Sequence, residues 1–323
     1  MGYWTRRRVL VTGGAGFIGS YLVEALVEAG AHVTVADDGS TGKMANLAAV
    51  QDDVAIRRMD LRRWHNCLTV TEGQEVVMHL AGYARGVGYH SKHHGELLYN
   101  NAVLNLNMLE AARQSGVERY LVTSSSLVYD DSASSPLREG DPLKPAGAHL
   151  GYGGAKLLAE QQAQHYAREY GMKIAIVRPF TVYGGLYERQ KDKPQVVPEL
   201  LAKVMQDEGP IVVWGTGQQR RNFINVRDVA HCMMLVTERH ANACPVNLGF
   251  EQTITIADLV QMLWELAGGT PRMIVFDRTK PEGRFCRSAD STLLRSIIGD
   301  YQLMTDLRQG LEELVQGYEE AHR

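Results

Sequence analysis

The 323-residue chain has few cysteines, no dominant charge and no long apolar run. Its four cysteines, Cys67, Cys232, Cys244 and Cys286, stand far apart. That spacing excludes a zinc module or a redox dithiol and fits a reducing cytoplasm better than a disulfide framework. No segment approaches the ~20 apolar residues that cross a bilayer, so no membrane partner is expected. Lys and Arg (34) nearly balance Asp and Glu (37) for a net charge of −3, so the basic surface of a nucleic-acid binder is missing. With 45% hydrophobic and 22% charged residues, the composition is that of a folded soluble domain rather than a disordered chain. Internal repeats and low-complexity tracts are lacking. The basic start, Arg6-Arg7-Arg8, runs into an apolar stretch that glycines interrupt at once, so it reads as a first strand and not as a secretory leader.

What is present is alternation. From Arg8 to about Val128, short β-branched runs alternate with amphipathic stretches, the pattern of a parallel sheet wrapped by helices. Strands are predicted at Val9 to Thr12, His32 to Ala36, Val54 to Arg57, Val76 to Leu80 and Arg119 to Ser124. The helices between them include Ile18 to Ala29 and Asn101 to Ser115. A helix from Tyr152 to Tyr170 then leads into a strand from Lys173 to Arg178. This predicts an α/β fold, a Rossmann doubly wound parallel sheet over residues 1–180, to which 222–247 return. A loop rich in charge and proline follows Pro179, with a helix near Val197 to Gln206 and a strand at Ile211 to Val213. Residues 181–221 and 248–323 are expected to form a smaller C-terminal substrate-binding domain. At ~150 residues per domain, the length agrees with two.

The strongest local signal is Gly13-Gly-Ala-Gly16-Phe17-Ile18-Gly19 between a strand and a helix. Glycines there permit a tight turn and close backbone approach, and the helix N-terminus can hold a pyrophosphate with its free N–H groups. Asp37 ends the second strand about twenty residues on, where a carboxylate accepts from an adenosine ribose and, with Asp38, repels a 2′-phosphate. The expected cofactor is therefore NAD rather than NADP. The chemical signal is Tyr152-Gly-Gly-Ala-Lys156 with Ser124-Ser125-Ser126 after the fifth strand. Residues four apart share a helix face. Lys156 is thus expected to lie beside Tyr152 and lower its phenol pKa from ~10, making a base for a hydroxyl proton.

These motifs, with Asp60-Leu61, His79-Leu80-Ala81-Gly82, Asn101, Arg178-Pro-Phe, Val182-Tyr-Gly184 and Arg221-Asn-Phe-Ile-Asn-Val-Arg-Asp228, cover nearly the whole chain. Together they resemble the extended short-chain dehydrogenases/reductases of the NAD-dependent nucleotide-sugar epimerase/dehydratase family. The resemblance implies that Ser125 hydrogen-bonds the sugar hydroxyl, that Tyr152 is the base and that Lys156 also holds the nicotinamide ribose. Asp60 and Leu61 would sit at the adenine, and Leu80, Ala81 and Asn101 along the cofactor. It also implies a homodimer through the helices bearing Asn101 and Tyr152, with Val103, Met108, Leu157 and Leu158 as apolar positions permitting it.

Within the family, the segment around Arg85-Gly86, with Trp214-Gly-Thr-Gly217 and Pro281-Glu-Gly283, is similar to the GDP-mannose 3,5-epimerase branch. That branch carries a proton-transferring cysteine two residues after the serine, and dehydratases carry an Asp-Glu pair at 126 and 127. Here Ser126 and Leu127 stand there. Dehydration is disfavoured, and inversion at C3 or C5 lacks its usual acid/base unless Lys193 supplies one. Inversion at C4 needs only Ser125, Tyr152 and Lys156. A nucleotide-sugar 4-epimerase is the first expectation; a 3,5-epimerase, a keto-sugar reductase or a cofactor-sensing binding protein are the alternatives.

Arg221 with Arg284 or Arg287 are candidate diphosphate clamps, because guanidinium binds phosphate oxygens bidentately. Trp214 is placed near the base, and Arg85, Gly86, Ser126, Thr181, Lys193 and Val197 complete the expected substrate contacts; Thr181 stands where the family carries asparagine. His90, His93 and His94 are read as a solvated turn, His79 as structural, and no metal is expected.

Overall fold

The structure, a computed structural model, describes every residue except 1, 187–194, 207–208, 269–272, 281–284, 303–305 and 323. Its first part runs β1 (Arg8–Thr12), α1 (Phe17–Glu28), β2 (His32–Asp37), β3 (Val54–Arg58), α2 (Trp64–Thr71), β4 (Val76–His79), the short α3 (Val87–His90), α4 (His94–Gln114), β5 (Arg119–Thr123), α5 (Leu150–Tyr170) and β6 (Lys173–Pro179). After it come β7 (Thr181–Tyr183), α6 (Val196–Met205), β8 (Ile211–Trp214), β9 (Arg220–Arg221), β10 (Phe223–Asn225), α7 (Val226–Arg239) and β11 (Pro245–Leu248). The chain ends with β12 (Ile254–Thr255), α8 (Ile256–Ala267), β13 (Ile274–Asp277), β14 (Cys286–Arg287), α9 (Thr292–Ile298) and α10 (Leu307–Ala321).

Seven strands form one parallel sheet in the order β11-β6-β5-β4-β1-β2-β3. Side chains alternate across a sheet, and both faces of this one are covered. Val9, Val11, Val76, Met78 and Val177 point into the core shared with α1 and α7. Leu10, Val77, Tyr120, Val122 and Ile176 point into the core under α2, α4 and α5. That double burial explains why these strands read as unbroken apolar runs. The order reverses beside β1, so the β1–α1 turn opens at the crevice where ligands of open α/β sheets bind.

A separate core gathers Leu200, Leu201, Ile211, Val213, Leu259, Leu263, Leu311 and Leu314 from α6, β8, α8 and α10. Leu294, Ile297 and Ile298 of α9 instead join the α1–α7 face of the large sheet, so this part of the 248–323 segment packs away from the second core. Helix α4 begins at His94, seven residues before the predicted start. Its first turns hold Gly95, Tyr99 and several polar side chains, which hid the period.

At the C-terminal end of β6, next to the edge strand β11, lies a buried ion pair. Arg178 of β6 donates to both oxygens of Glu160 of α5, at 2.9 and 2.6 Å, and both side chains are about 2% exposed. Glu160 also accepts from the Ser124 hydroxyl, and Arg178 reaches Tyr129 Oη at 2.8 Å. Removing one partner strands a buried charge. Glu160→Ala is expected to lower unfolding free energy in urea by about 3–5 kcal/mol. Arg138→Ala, at an exposed pair with Asp290, is expected to cost under about 1 kcal/mol.

Candidate active site

The glycine turn admits no side chain at two of its positions. Gly13 adopts φ 69°, and a Cβ there would come within 2.7 Å of Ala81 N. A Cβ at Gly19 would collide with Gly13 O. The turn therefore packs flush against the end of β4. Helix α1 has Gly16 at its N-cap with no side-chain hydrogen bond to the opening turn, so its first N–H groups are available to an anion. Phe17 is buried and Ile18 half-buried behind them.

Asp37, buried at the end of β2, uses both carboxylate oxygens on backbone: Oδ2 accepts from Ala15 N–H at 3.0 Å and Oδ1 from Gly39 N–H at 2.9 Å. It fixes the loop that a ribose would meet. Asp60 is held by the Arg62 guanidinium at 2.9 and 3.0 Å, which keeps its carboxyl below the usual range, and Leu61 is buried behind it. Asn101, fully buried, clamps the segment after β4: its side chain accepts from Tyr83 N–H at 2.8 Å and donates to Tyr83 O at 3.1 Å. Ala81 N–H donates to Thr12 Oγ1 at 3.2 Å, and Thr12 Oγ1 lies 2.7 Å from His79 Nδ1. The other His79 nitrogen is 3.1 Å from Asn105 Oδ1. An amide oxygen only accepts, so Nε2 carries the proton and Nδ1 takes the Thr12 hydroxyl. Burial pulls His79 down to about 3 and keeps it neutral.

The segment after β5 that carries Ser125 lies against the first turns of α5, which carry Tyr152 and Lys156. Gly153 passes so near the turn after Ser125 that a Cβ there would lie 2.6 Å from Leu127 O. Ser125 Oγ accepts from Leu127 N–H at 3.2 Å, which orients the hydroxyl. Lys156 Nζ donates to Thr123 O at 2.7 Å and sits 5.6 Å from the centre of the Tyr152 ring. The juxtaposition matches the spacing, but the electrostatics correct it. Burial lifts the Tyr152 phenol to about 12 and draws the Lys156 ammonium down to about 8, both by desolvation. Without a further positive charge the phenol stays protonated at neutral pH.

The remaining positions fall into groups. Arg221 of β9 and Arg287 of β14 are paired residues on adjacent strands, hence side by side on one face. Trp214 ends β8, about half exposed, with Lys280 Nζ 6.0 Å from its ring. Thr181 pairs with Phe223 in the β7–β10 ladder. Arg85 covers the Tyr83 ring at 4.5 Å, Gly86 O accepts the N–H groups of Tyr89 and His90, and Ser126 is buried. Val197, expected at the substrate, is 1% exposed and its side chain packs in the second core. Met108 is likewise core under the sheet, not an outer position. Lys193 and Arg284 lie outside the described residues. Among the described residues, no group of three or more His, Cys, Asp or Glu is placed to hold a metal, and no helix is long and apolar enough to cross a membrane.

His90 departs most from expectation. It is 4% exposed, not a solvated turn, and its ring stacks on Tyr152 at 5.1 Å and 29°. His149 lies against it, Nδ1 to Nδ1 3.2 Å. Sequence spacing gave no sign of a contact across 59 residues.

A seven-stranded parallel sheet with this turn, and a serine, a tyrosine and a lysine converging beside it, defines an extended short-chain dehydrogenase/reductase. The model of the NAD dependent epimerase/dehydratase family matches residues 9–249, and the chain belongs to that family. It is 27% identical over 305 residues to GDP-mannose 3,5-epimerase 1 of Oryza sativa subsp. japonica, covering 92% of this chain and 78% of the relative. Two solved structures resemble it with a TM-score of 0.88 and 26% identity each. One is UDP-N-acetylglucosamine 4-epimerase from Methanobrevibacter ruminantium, covering 98% of this chain and 99% of that one. The other is UDP-glucose 4-epimerase from Thermotoga maritima, covering 98% and 100%.

The cofactor is NAD, and the cradle fits it: a turn closed to side chains, an uncapped helix start and carboxylates along the far edge. Gly19→Ala is expected to fold, by circular dichroism, but to lose NAD affinity by about tenfold or more, because Gly13 O and the turn must shift. Chromatography of nucleotide released from denatured protein checks this.

Proposed function

We propose that the protein is an epimerase that inverts C4 of a nucleotide-linked hexose through a transient 4-keto sugar, keeping its NAD through the turnover. The observation that carries this reading is the convergence of Ser125, Tyr152 and Lys156 next to Leu127, a side chain with no proton to exchange. The resemblance to two 4-epimerase structures supports it.

Bound NAD supplies the acceptor and later the donor of the C4 hydride, and in its oxidised form a positive charge that favours the phenolate. Tyr152 Oη takes the C4 hydroxyl proton and gives it back after the keto sugar has turned. Ser125 Oγ, oriented by Leu127 N–H, donates to the C4 oxygen as its bond order changes. Lys156 holds the nicotinamide ribose and adds charge beside the phenol. Gly13, Gly16 and Gly19 cradle the pyrophosphate, Asp37 the adenosine ribose, Asp60 and Leu61 the adenine, and Leu80, Ala81 and Asn101 the path between. On the substrate side, Arg221 and Arg287 clamp the diphosphate, Trp214 packs on the base, and Arg85, Gly86, Ser126 and Thr181 line the sugar. Residues 181–221 and most of 248–323 serve as the nucleotide-sugar unit.

The chain acts as a homodimer through α4 and α5, whose exposed Leu98, Tyr99, Leu106 and Leu158 support that pairing. Four free thiols support a reducing cytoplasm. A 3,5-epimerase is the second reading, favoured by the identity to the rice GDP-mannose enzyme.

Incubation with UDP-hexoses and with GDP-mannose in deuterated water, without added cofactor, separates the two by NMR and mass spectrometry. The expected product is a C4 epimer free of carbon-bound deuterium, with Tyr152→Phe slower by about 100-fold or more. Deuterium at C3 or C5 overturns the C4 reading.

A further inference from the structure

The Tyr152 ring is covered on one side by His90, which His149 backs, and neither histidine has been given a role. His90 closes α3, and His149 ends the turn just before α5, three residues ahead of Tyr152. The His90 ring lies on the Tyr152 ring at 5.1 Å, and the His149 ring meets His90 edge-on at 5.4 Å and 85°. Arg85 N–H donates to His90 Nε2 across a long 3.4 Å. A nitrogen that accepts carries no hydrogen, so the single proton of neutral His90 is on Nδ1. It points at His149 Nδ1 across 3.2 Å, and His149 must accept there, leaving its own proton on Nε2. The Arg85 N–H thus fixes the tautomer of His90, and His90 that of His149.

We propose that His90 and His149 form a clasp that holds one bridging proton, pins the Tyr152 ring in its reactive pose and ties the Arg85–His90 segment to the start of α5. They are positioning residues, and the proposal rests on the reading of Tyr152 as the base. A second proton reverses the clasp. Protonated His149 donates from Nδ1, the His90 proton moves to Nε2, and the Arg85 contact that ties the segment is lost.

The surroundings keep the extra proton out. His90 faces Tyr152 of α5 and His94 of α4; burial and His94 lower it. His149 faces Arg287 of β14, His90 and Asp131; burial, Arg287 and His90 outweigh Asp131 and draw it down to about 4. A group depressed in the folded protein is neutral above its folded value. The clasp therefore keeps its Arg85 tie at neutral pH and loses it as pH falls through about 4.

Three variants test this. His149→Leu removes the acceptor, His149→Gln restores one in its amide oxygen, and His90→Phe keeps a ring on Tyr152 without the donor. With the C4 turnover as assay, His149→Leu and His90→Phe are expected to lose about tenfold in kcat with KM within about twofold. His149→Gln is expected to stay within about threefold and to lack the acid limb of the wild-type pH profile, measured where circular dichroism shows each protein folded. A readout without substrate is the histidine ¹H–¹⁵N spectrum. The bridging Nδ1–H resonance of His90 is expected in wild type and His149→Gln and absent from His149→Leu. Missing resonance in wild type, or equal kcat and pH profiles in wild type and His149→Leu, overturns the clasp. Deuterium at C3 or C5 that disappears in His90→Phe also overturns it, by making the dyad an acid/base. A wild type showing the resonance but no C4 inversion defeats the functional reading and leaves the clasp standing.

Discussion

One buried carboxylate organises the catalytic end of the sheet. Glu160 stands four residues after Lys156 and eight after Tyr152, so the three share a face of α5. That face lies over β5 because Glu160 binds Arg178 of β6 and Ser124 just after β5, while Lys156 binds Thr123 O. A charge pair so buried has meaning only while both members are present. It fixes the depth and rotation of α5, and with them the distance between the phenol and the turn that carries Ser125.

The same burial that secures the geometry works against the chemistry. Desolvation raises the phenol and lowers the ammonium, leaving a pair that is inert by itself and poised to respond to one more positive charge. Under the proposed function, proton abstraction by Tyr152 then waits on the positive charge of a cofactor in the cradle. The adjacent strands β9 and β14 set Arg221 and Arg287 side by side, and under the proposed function these two guanidinium groups anchor the diphosphate of the substrate.

Much of this was legible in the sequence. The parallel sheet showed in its apolar runs, and Tyr152, Lys156 and the glycine turn showed in spacings of three and four residues. Those features are local. What stayed hidden depends on contacts between distant segments. Glu160 is an unremarked glutamate on a helix until Arg178 is brought to it. His90 looked solvated because it sits in a run of histidines and glycines, and only the fold lays it on Tyr152. Val197 and Met108 have the right period for a helix face, but period alone does not say which core the face meets. The direction of the Tyr152 shift was misread for a related reason: spacing reveals a neighbouring charge and not the loss of water around both groups.

The most direct measurement follows the hydrogen at the reacting carbon. A nucleotide hexose carrying deuterium at C4 is converted without added cofactor, and its epimer is examined by mass spectrometry and NMR. If the same carbon is oxidised and reduced inside one site, the label is retained at C4 of the product and the turnover is slower than with hydrogen. Label lost to solvent, or found in released cofactor beside an unreduced sugar, contradicts the account.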